Sequence, residues 1–336
     1  MLKILLAVPY PSETSGLIEF YRRALIALGH EVQLVPICQR HSFRDRVRHQ
    51  VARLSYRGLP PDWHGEALIQ AADRFQPDLT IIGRGERLLP EPIRYLRERS
   101  RLGCINIYPD SPLVIPGAGA VGMLPSLAEY TCVYTFSRAL VPVFHQLGAR
   151  CARWLPFGFD PEIHRIPSAI DPALQSTVAY LGAWGPLQEA WLEPLAPLGL
   201  GIYGPGWRHA RTDSPVRAAW REGRGTGPEM AAAIAGADMV FNMVRAEHGC
   251  AHSMKTFEIP ACGGFMLTNW TEEQAEFFED GKHCVFFHTR EEMQEKATYY
   301  AAHADARMRI AAAGHAEAGK HPYTVRAAQI LKDCAA

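Results

Sequence analysis

Short apolar runs, rich in β-branched and aromatic residues, recur along the chain, and longer patterns of helical period fill the gaps between them. In the first half the runs are LKILLAV (2–8), EVQLVPI (31–37), LTIIG (79–83), CINIY (104–108), CVYTF (132–136) and ARWLPF (152–157). In the second half they are TVAYLG (177–182), GLGIYG (199–204), MVFNM (239–243), GFMLT (264–268) and HCVFF (283–287). Runs this apolar suit strands buried on both faces of a parallel sheet. The alternation predicts two successive doubly wound α/β units rather than one large sheet. At 336 residues the chain is also long for a single core. PFGFDPEIHRIPSAIDP (156–172), rich in Pro and Asp and without periodicity, is the predicted linker. Thr271-x-x-Gln274 and Thr289-x-x-Glu292 read as capping boxes, and Gly281 as a helix stop.

Composition narrows the function classes. Lys+Arg and Asp+Glu balance at 35 each, so no global field recruits nucleic acid or anionic lipid, and any such attraction is local. The eight cysteines form no C-x-x-C, and several sit in apolar runs, which predicts a reducing compartment with neither disulfides nor zinc. MLKILLAVPYP reads as a first buried strand rather than a signal peptide, and no run approaches the ~18 apolar residues of a membrane span. A cytoplasmic location is expected. The 14 histidines are scattered, and no metal site is expected.

Chemistry concentrates in HSMKTFEIPACGGFMLTN (252–269). Ser253 can cap a helix from Met254 to about Cys262, with Met254, Phe257 and Ala261 on its apolar face. His252, Lys255, Glu258 and Cys262 form a second, polar stripe. A helix N-terminus with Lys255 in its first turn suits a diphosphate, and Glu258 one turn on suits the two hydroxyls of a ribose. Gly263-Gly264 would then let the backbone approach a ligand closely. The competing reading is an i,i+3 pair of Lys255 and Glu258 on a solvated face, worth a few tenths of a kcal/mol.

KTFEIPACGGFMLTNWTEEQAEFFEDGKHCVFF, followed by EMQEKATYYAAHADARMRIAAAGHAEAGKHPYTVRA, resembles the C-terminal half of CgeB-type (spore maturation protein) glycosyltransferases. YPDSP (108–112), LPFGFDPEIH (155–164), YLGAWGP (180–186) and IYGPGW (202–207) extend the resemblance more loosely. That family is similar to the glycogen-synthase-like clan. The resemblance implies a glycosyltransferase B fold: two Rossmann-like domains facing across a cleft, a metal-independent reaction, and a nucleotide-diphospho-sugar as co-substrate rather than a bound cofactor. It implies an acceptor-side domain over 1–158, a donor domain over 159–320 and a helix over 321–336 that crosses back. It places Glu258 at the ribose, Gly182 and Trp184 in the diphosphate loop, and Gly204, Gly206 and Trp207 around the base. Asn242, His252, Ser253, Lys255, Gly263 and Gly264 complete the expected donor side. Lys255 stands where the family has Arg, keeping the charge and losing the bidentate fork. Where the clan has the Glu that touches the donor sugar, this chain has Cys250, with Glu247 or His252 as substitutes.

The acceptor hydroxyl needs a base if configuration inverts, and Glu13, Asp110 and His252 are the catalytic candidates. If configuration is retained, the departing phosphate oxygen can take the proton. RHSFRDRVRHQVARLSYR (40–57) reads as a basic amphipathic helix; its Arg44 and Arg48 would dock an anionic acceptor such as a phosphorylated glycan, a lipid-linked sugar at a membrane, or DNA. GAGAVG (117–122) matches G-x-G-x-x-G, but Pro116 precedes it and no acidic residue follows at the required distance, so Gly117 and Gly119 are read as an acceptor-side loop. Two alternatives stand beside the glycosyltransferase: a nucleotide-sugar binding protein without turnover, and an NAD(P)-dependent oxidoreductase using 117–122.

Overall fold

The computed structural model describes residues 1–8, 16–37, 63–85, 88–112, 123–221, 225–245 and 248–335. The chain divides into two compact units, Met1–Pro156 with Thr324–Ala336, and Phe157–Tyr323.

In the first unit, β1 (Lys3–Val8), β2 (Glu31–Pro36), β3 (Leu79–Gly83), β4 (Cys104–Tyr108), β5 (Cys132–Thr135) and β6 (Ala152–Trp154) form one sheet ordered β2-β1-β3-β4-β5-β6. Every neighbouring pair is parallel. All residues of β3 and β4 are buried, as strands covered on both faces must be. The crossovers include α1 (Leu17–Ala27), α2 (Trp63–Phe75), α3 (Pro90–Arg99) and α4 (Leu140–Gln146).

In the second unit, β7 (Ser176–Leu181), β8 (Leu200–Tyr203), β9 (Trp220–Arg221), β10 (Ala237–Asn242), β11 (Met266–Asn269) and β12 (Val285–Phe287) form a sheet ordered β12-β11-β10-β7-β8-β9, again parallel throughout. Its helices are α5 (Pro186–Leu192), α6 (Gly227–Ala235), α7 (Lys255–Ala261), α8 (Glu272–Phe277), α9 (Arg290–Ala302) and α10 (Ala304–Ala318). The core runs through Val178, Tyr180, Ile202, Met239, Phe241, Leu267 and Phe287, with Phe241 stacked on Phe287 at 5.6 Å. A last helix, α11 (Tyr323–Ala335), lies from Thr324 onward in the first unit. There Asp333 accepts from Tyr134 (3.2 Å) and pairs with Arg153 (3.0 Å).

Both units are doubly wound α/β, the class that the alternating runs predict. Each of the eleven runs contains a strand, and β9 is the addition. Its two residues, Trp220 and Arg221, are too few to produce an alternating or apolar signature.

Candidate functional site

Strand order in the second sheet reverses between β7 and β10, and ligands of open α/β sheets bind beyond the carboxyl ends at such a point. Gly182 follows β7, and Asn242 ends β10. The turns after β7 and β8 are stitched together through backbone: Gly182 N–H donates to Tyr203 O and Trp184 N–H to Pro205 O, both at 2.9 Å. The stitching requires glycine at 204, which has φ +134° and where a Cβ would collide with the Gly182 carbonyl. Gly182, Trp184, Gly204 and Gly206 therefore do come together. Trp184 is held by its indole N–H, which donates to the buried Glu189 carboxylate at 2.8 Å, and its ring stands 5.7 Å from that of His209.

Trp207 does not join them at the surface. It is 0% exposed, packs edge-on to Tyr180 at 5.8 Å, and donates its indole N–H to Gly182 O at 2.9 Å. Its expected place beside a nucleotide base is corrected: it is a core residue that fixes the β7 turn from below. Burial pushes the Tyr180 phenol up to about 12, opposed by the charge of Arg245, an exposed cation just after β10.

At the ends of β10 and β11 lies a buried polar network. Asn242 Nδ2 donates to Thr268 Oγ1 (3.1 Å), and Ser253 Oγ donates to Asn242 Oδ1 (3.3 Å). Gln274 Oε1 accepts from Thr256 Oγ1 (2.9 Å) and Thr268 Oγ1 (3.2 Å), while Gln274 Nε2 donates to Asn269 O (2.8 Å). Satisfied networks of this kind rigidify what they hold. Here they fix the 252–256 segment to the sheet. Ser253 makes no cap hydrogen bond to α7, whose N-cap residue Met254 is already helical, so the expected capping role of Ser253 is also corrected.

α7 is buried on almost every side, which places the expected polar stripe largely inside the unit. Phe257 lies among the rings of His252, Phe277, Phe278 and His321. Glu258 is 2% exposed. Its Oε2 lies 2.7 Å from Lys255 Nζ, and its Oε1 lies 3.4 Å from Nε2 of the buried His164. Burial acts to raise the Glu258 carboxyl, but the Lys255 ammonium and then His164 outweigh it and hold the group below the usual carboxylate range. The Lys255 side chain is 25% exposed, so the cation is the half of the pair that reaches solvent. The i,i+3 pair exists, yet it covers a buried carboxylate rather than decorating a solvated face.

His252 is 0% exposed. Its Nε2 accepts from the Phe157 N–H at 3.0 Å, so Nδ1 carries the proton and donates to the buried Glu273 at 2.8 Å. Both ring nitrogens are committed inside the unit, and the catalytic and donor-contact roles expected of His252 are corrected to a structural one. Gly263 and Gly264 are likewise explained by the helix end. Gly263, at φ +78°, donates to Pro260 O (2.9 Å) and Gly264 to Ile259 O (3.0 Å), a Schellman stop. A Cβ on Gly264 would run into Ile234, so close packing fills the space expected for a ligand.

In the first unit, Asp110 follows β4 and pairs with Arg84 at 2.8 Å, both side chains being half-exposed. Glu13, Arg44, Arg48, Gly117, Gly119 and Glu247, with the basic segment 40–57, lie outside the described residues. Cys250 is partly exposed, and its carbonyl accepts from Glu273 N–H at 3.0 Å. Sequence reasoning missed His164, Arg245 and the inward turn of Gln274. The signal for His164 was the Asp160-x3-His164 spacing inside the predicted linker, where Asp160 N–H donates to His164 Nδ1 at 2.9 Å. Among the described residues no group of three or more His, Cys, Asp or Glu could hold a metal ion. No helix among them is long and apolar enough to cross a membrane.

Residues 187–332 match the family described as "Glycosyl transferase-like". No curated protein matches the chain by sequence. Among solved structures, an alpha-glucosyltransferase in complex with UDP is similar over 100% of both chains, with a TM-score of 0.68 and 12% identity; it is also solved with UDP-glucose and DNA containing an abasic site. Anabaena Alr3699/HepE in complex with UDP-glucose is similar over 99% of both chains, at 0.61 and 15%. Sucrose-phosphate synthase from Thermosynechococcus elongatus covers 99% of this chain and 98% of its own, at 0.61 and 13%. Identities this low establish the fold and assign no side chain. The chain has the glycosyltransferase B fold, and its residues 187–332 form a glycosyl transferase-like segment.

Proposed function

We propose that this chain is a CgeB-like glycosyltransferase that moves a sugar from a nucleoside-diphospho-sugar, with UDP as the carrier, and that it does so without a metal ion. The observation that carries the reading is Glu258, a buried carboxylate kept ionised beneath a movable cation at the edge of the β7–β10 switch point. A desolvated carboxylate accepts two hydroxyl hydrogen bonds well, and a ribose offers two adjacent hydroxyls. Lys255, on leaving Glu258, would meet the diphosphate. α7 has seven residues and a small dipole, so this charge, with that of Arg245 just after β10, does most of the stabilising of the leaving group. Gly182, Trp184, Gly204 and Gly206 supply the shaped wall, and Ser253 with Asn242 the fixed floor. UDP is chosen because two of the fold neighbours are solved with UDP or UDP-glucose.

The acceptor is proposed to be anionic, on the six arginines of 40–57 and on a fold neighbour solved with DNA. For an inverting transfer Asp110 or Glu13 would be the base. A cytoplasmic location belongs to the same proposal, supported by free thiols at all seven described cysteines.

A thermal-shift panel of UDP, GDP, dTDP and ADP, each in EDTA and in Mg²⁺, tests the reading. Saturating ligand stabilises by RT ln(1 + [L]/Kd), about 2.7 kcal/mol at a hundredfold excess over Kd. The expected result is a shift with UDP that survives EDTA. No shift with any of the four nucleotides would remove the donor-site assignment, and a shift needing Mg²⁺ would remove its metal independence.

A further inference from the structure

His164 belongs to a segment whose composition marks it as linker, yet it is one of the most enclosed polar groups in the second unit. The turn that holds it is built by Asp160. The Asp160 carbonyl accepts from His164 N–H at 2.7 Å and from Ile163 N–H at 3.2 Å, and its Oδ1 accepts from Glu162 N–H at 2.9 Å. The Asp160 N–H then donates to His164 Nδ1 at 2.9 Å. A nitrogen that accepts from a backbone amide cannot carry a proton, so the ring is a neutral tautomer with its N–H on Nε2. That N–H faces Glu258 Oε1 across 3.4 Å.

Glu258 thus has two partners of different kinds. Lys255 is partly exposed, on a long flexible stem, and occupies Oε2; His164 is enclosed, rigid, and stands at Oε1. Any ligand that draws Lys255 away leaves the carboxylate with His164 alone. A buried carboxylate stripped of all partners costs several kcal/mol, whereas one that keeps a fixed donor on one oxygen can offer the other to a ligand.

We propose that His164 is the positioning residue of the donor site, orienting the Glu258 carboxylate through Nε2 while Lys255 exchanges from the carboxylate to the diphosphate. This rests on the assignment of Glu258 to the ribose made above. His164 touches neither ribose nor phosphate; it acts through the carboxylate.

The two nitrogens of the ring can be separated by substitution. In His164→Asn the amide oxygen keeps the acceptor for Asp160 N–H and nothing reaches Glu258. In His164→Gln the longer amide places an N–H where Nε2 stood and gives up the short-range acceptor. Titrating each protein with UDP and with 2′,3′-dideoxy-UDP reads the ribose contribution directly. The expected result is about a tenfold weaker Kd for UDP in His164→Asn. Binding of 2′,3′-dideoxy-UDP should be unchanged in that variant, and His164→Gln should bind UDP within about threefold of wild type. A histidine that only shapes the 160–164 turn predicts the opposite order, with Gln worse than Asn and both nucleotides affected alike; that order overturns the proposal. If wild type binds UDP, Glu258→Gln abolishes its preference over the dideoxy analogue, and His164→Asn behaves as wild type, the donor site stands and His164 has no part in it. If wild type binds neither nucleotide, both assignments fall. Should His164→Asn not fold, wild-type affinity in His164→Gln supports the role, and a loss confined to UDP's ribose in that variant overturns it.

Discussion

Among single residues, Glu258 is a carboxylate whose environment opposes itself: burial favours the neutral acid, and its neighbours, Lys255 first, favour the anion. The anion prevails, so the Glu258 group has a folded-state pKa below the ordinary 4.5. A depressed acid adds stability that is complete above its unfolded value and is lost as pH falls through the folded one. Glu258→Gln should therefore flatten the fall of thermal stability below about pH 4.5, measured by calorimetry from pH 6 to 3. An unchanged acid limb would contradict the ion pairing. Lys255→Met should weaken UDP binding while sparing uridine, since only the diphosphate calls on the cation; equal losses for both in titration calorimetry would reassign Lys255 to holding Glu258. The spacing of Lys255 and Glu258 was readable in the sequence, because residues three apart share a helix face. Their burial was not, since it comes from the 160–164 turn and the aromatic rings around Phe257, which approach from distant parts of the chain. His252 is the reverse case: a polar residue beside the candidate site in sequence, it is fully enclosed. Its replacement by Phe would leave Glu273 without that partner and should cost about 3–5 kcal/mol in urea unfolding.

Elements were more legible than their ends. Periodicity and apolar content located eleven of the twelve strands among the described residues because a strand buried on both faces needs no help from elsewhere to declare itself. The capping signals held in part. Thr271 and Thr289 both accept from the N–H three residues on, at 3.3 and 3.1 Å. Gln274, however, turns its side chain to Asn269 O and to Thr256, where a complete capping box would have sent it back to the cap. Ser253 failed as a cap because its hydroxyl is taken by Asn242, a contact set by the sheet rather than by local sequence. Gly263-Gly264 and Trp207 share one lesson: glycines and tryptophans beside a site resemble ligand contacts in sequence, and here they are a helix stop and a core side chain. Trp207→Ala should accordingly destabilise the protein by about 3–5 kcal/mol. Nucleotide affinity measured on the folded fraction should change less than in Glu258→Ala. Thr289→Ala should cost about 1 kcal/mol as an ordinary lost cap, with UDP affinity intact.

At the scale of the whole molecule, two parallel sheets with their own cores follow from a chain that alternates buried strands with helical patterns through 336 residues. The second sheet's order places Gly182 and Asn242 on either side of a switch point, and α7, with Lys255 and Glu258, follows the strand that ends at Asn242. What the fold leaves to chemistry is the identity of the ligand, and the central claim is that it is a nucleoside diphosphate held through Glu258. Titration calorimetry of UDP in EDTA against wild type and Glu258→Ala, with the fold of both checked by circular dichroism, tests it most directly. Saturable binding to wild type and at least about tenfold weaker binding to the variant are expected. Binding of equal strength to both proteins, or to neither, would contradict it.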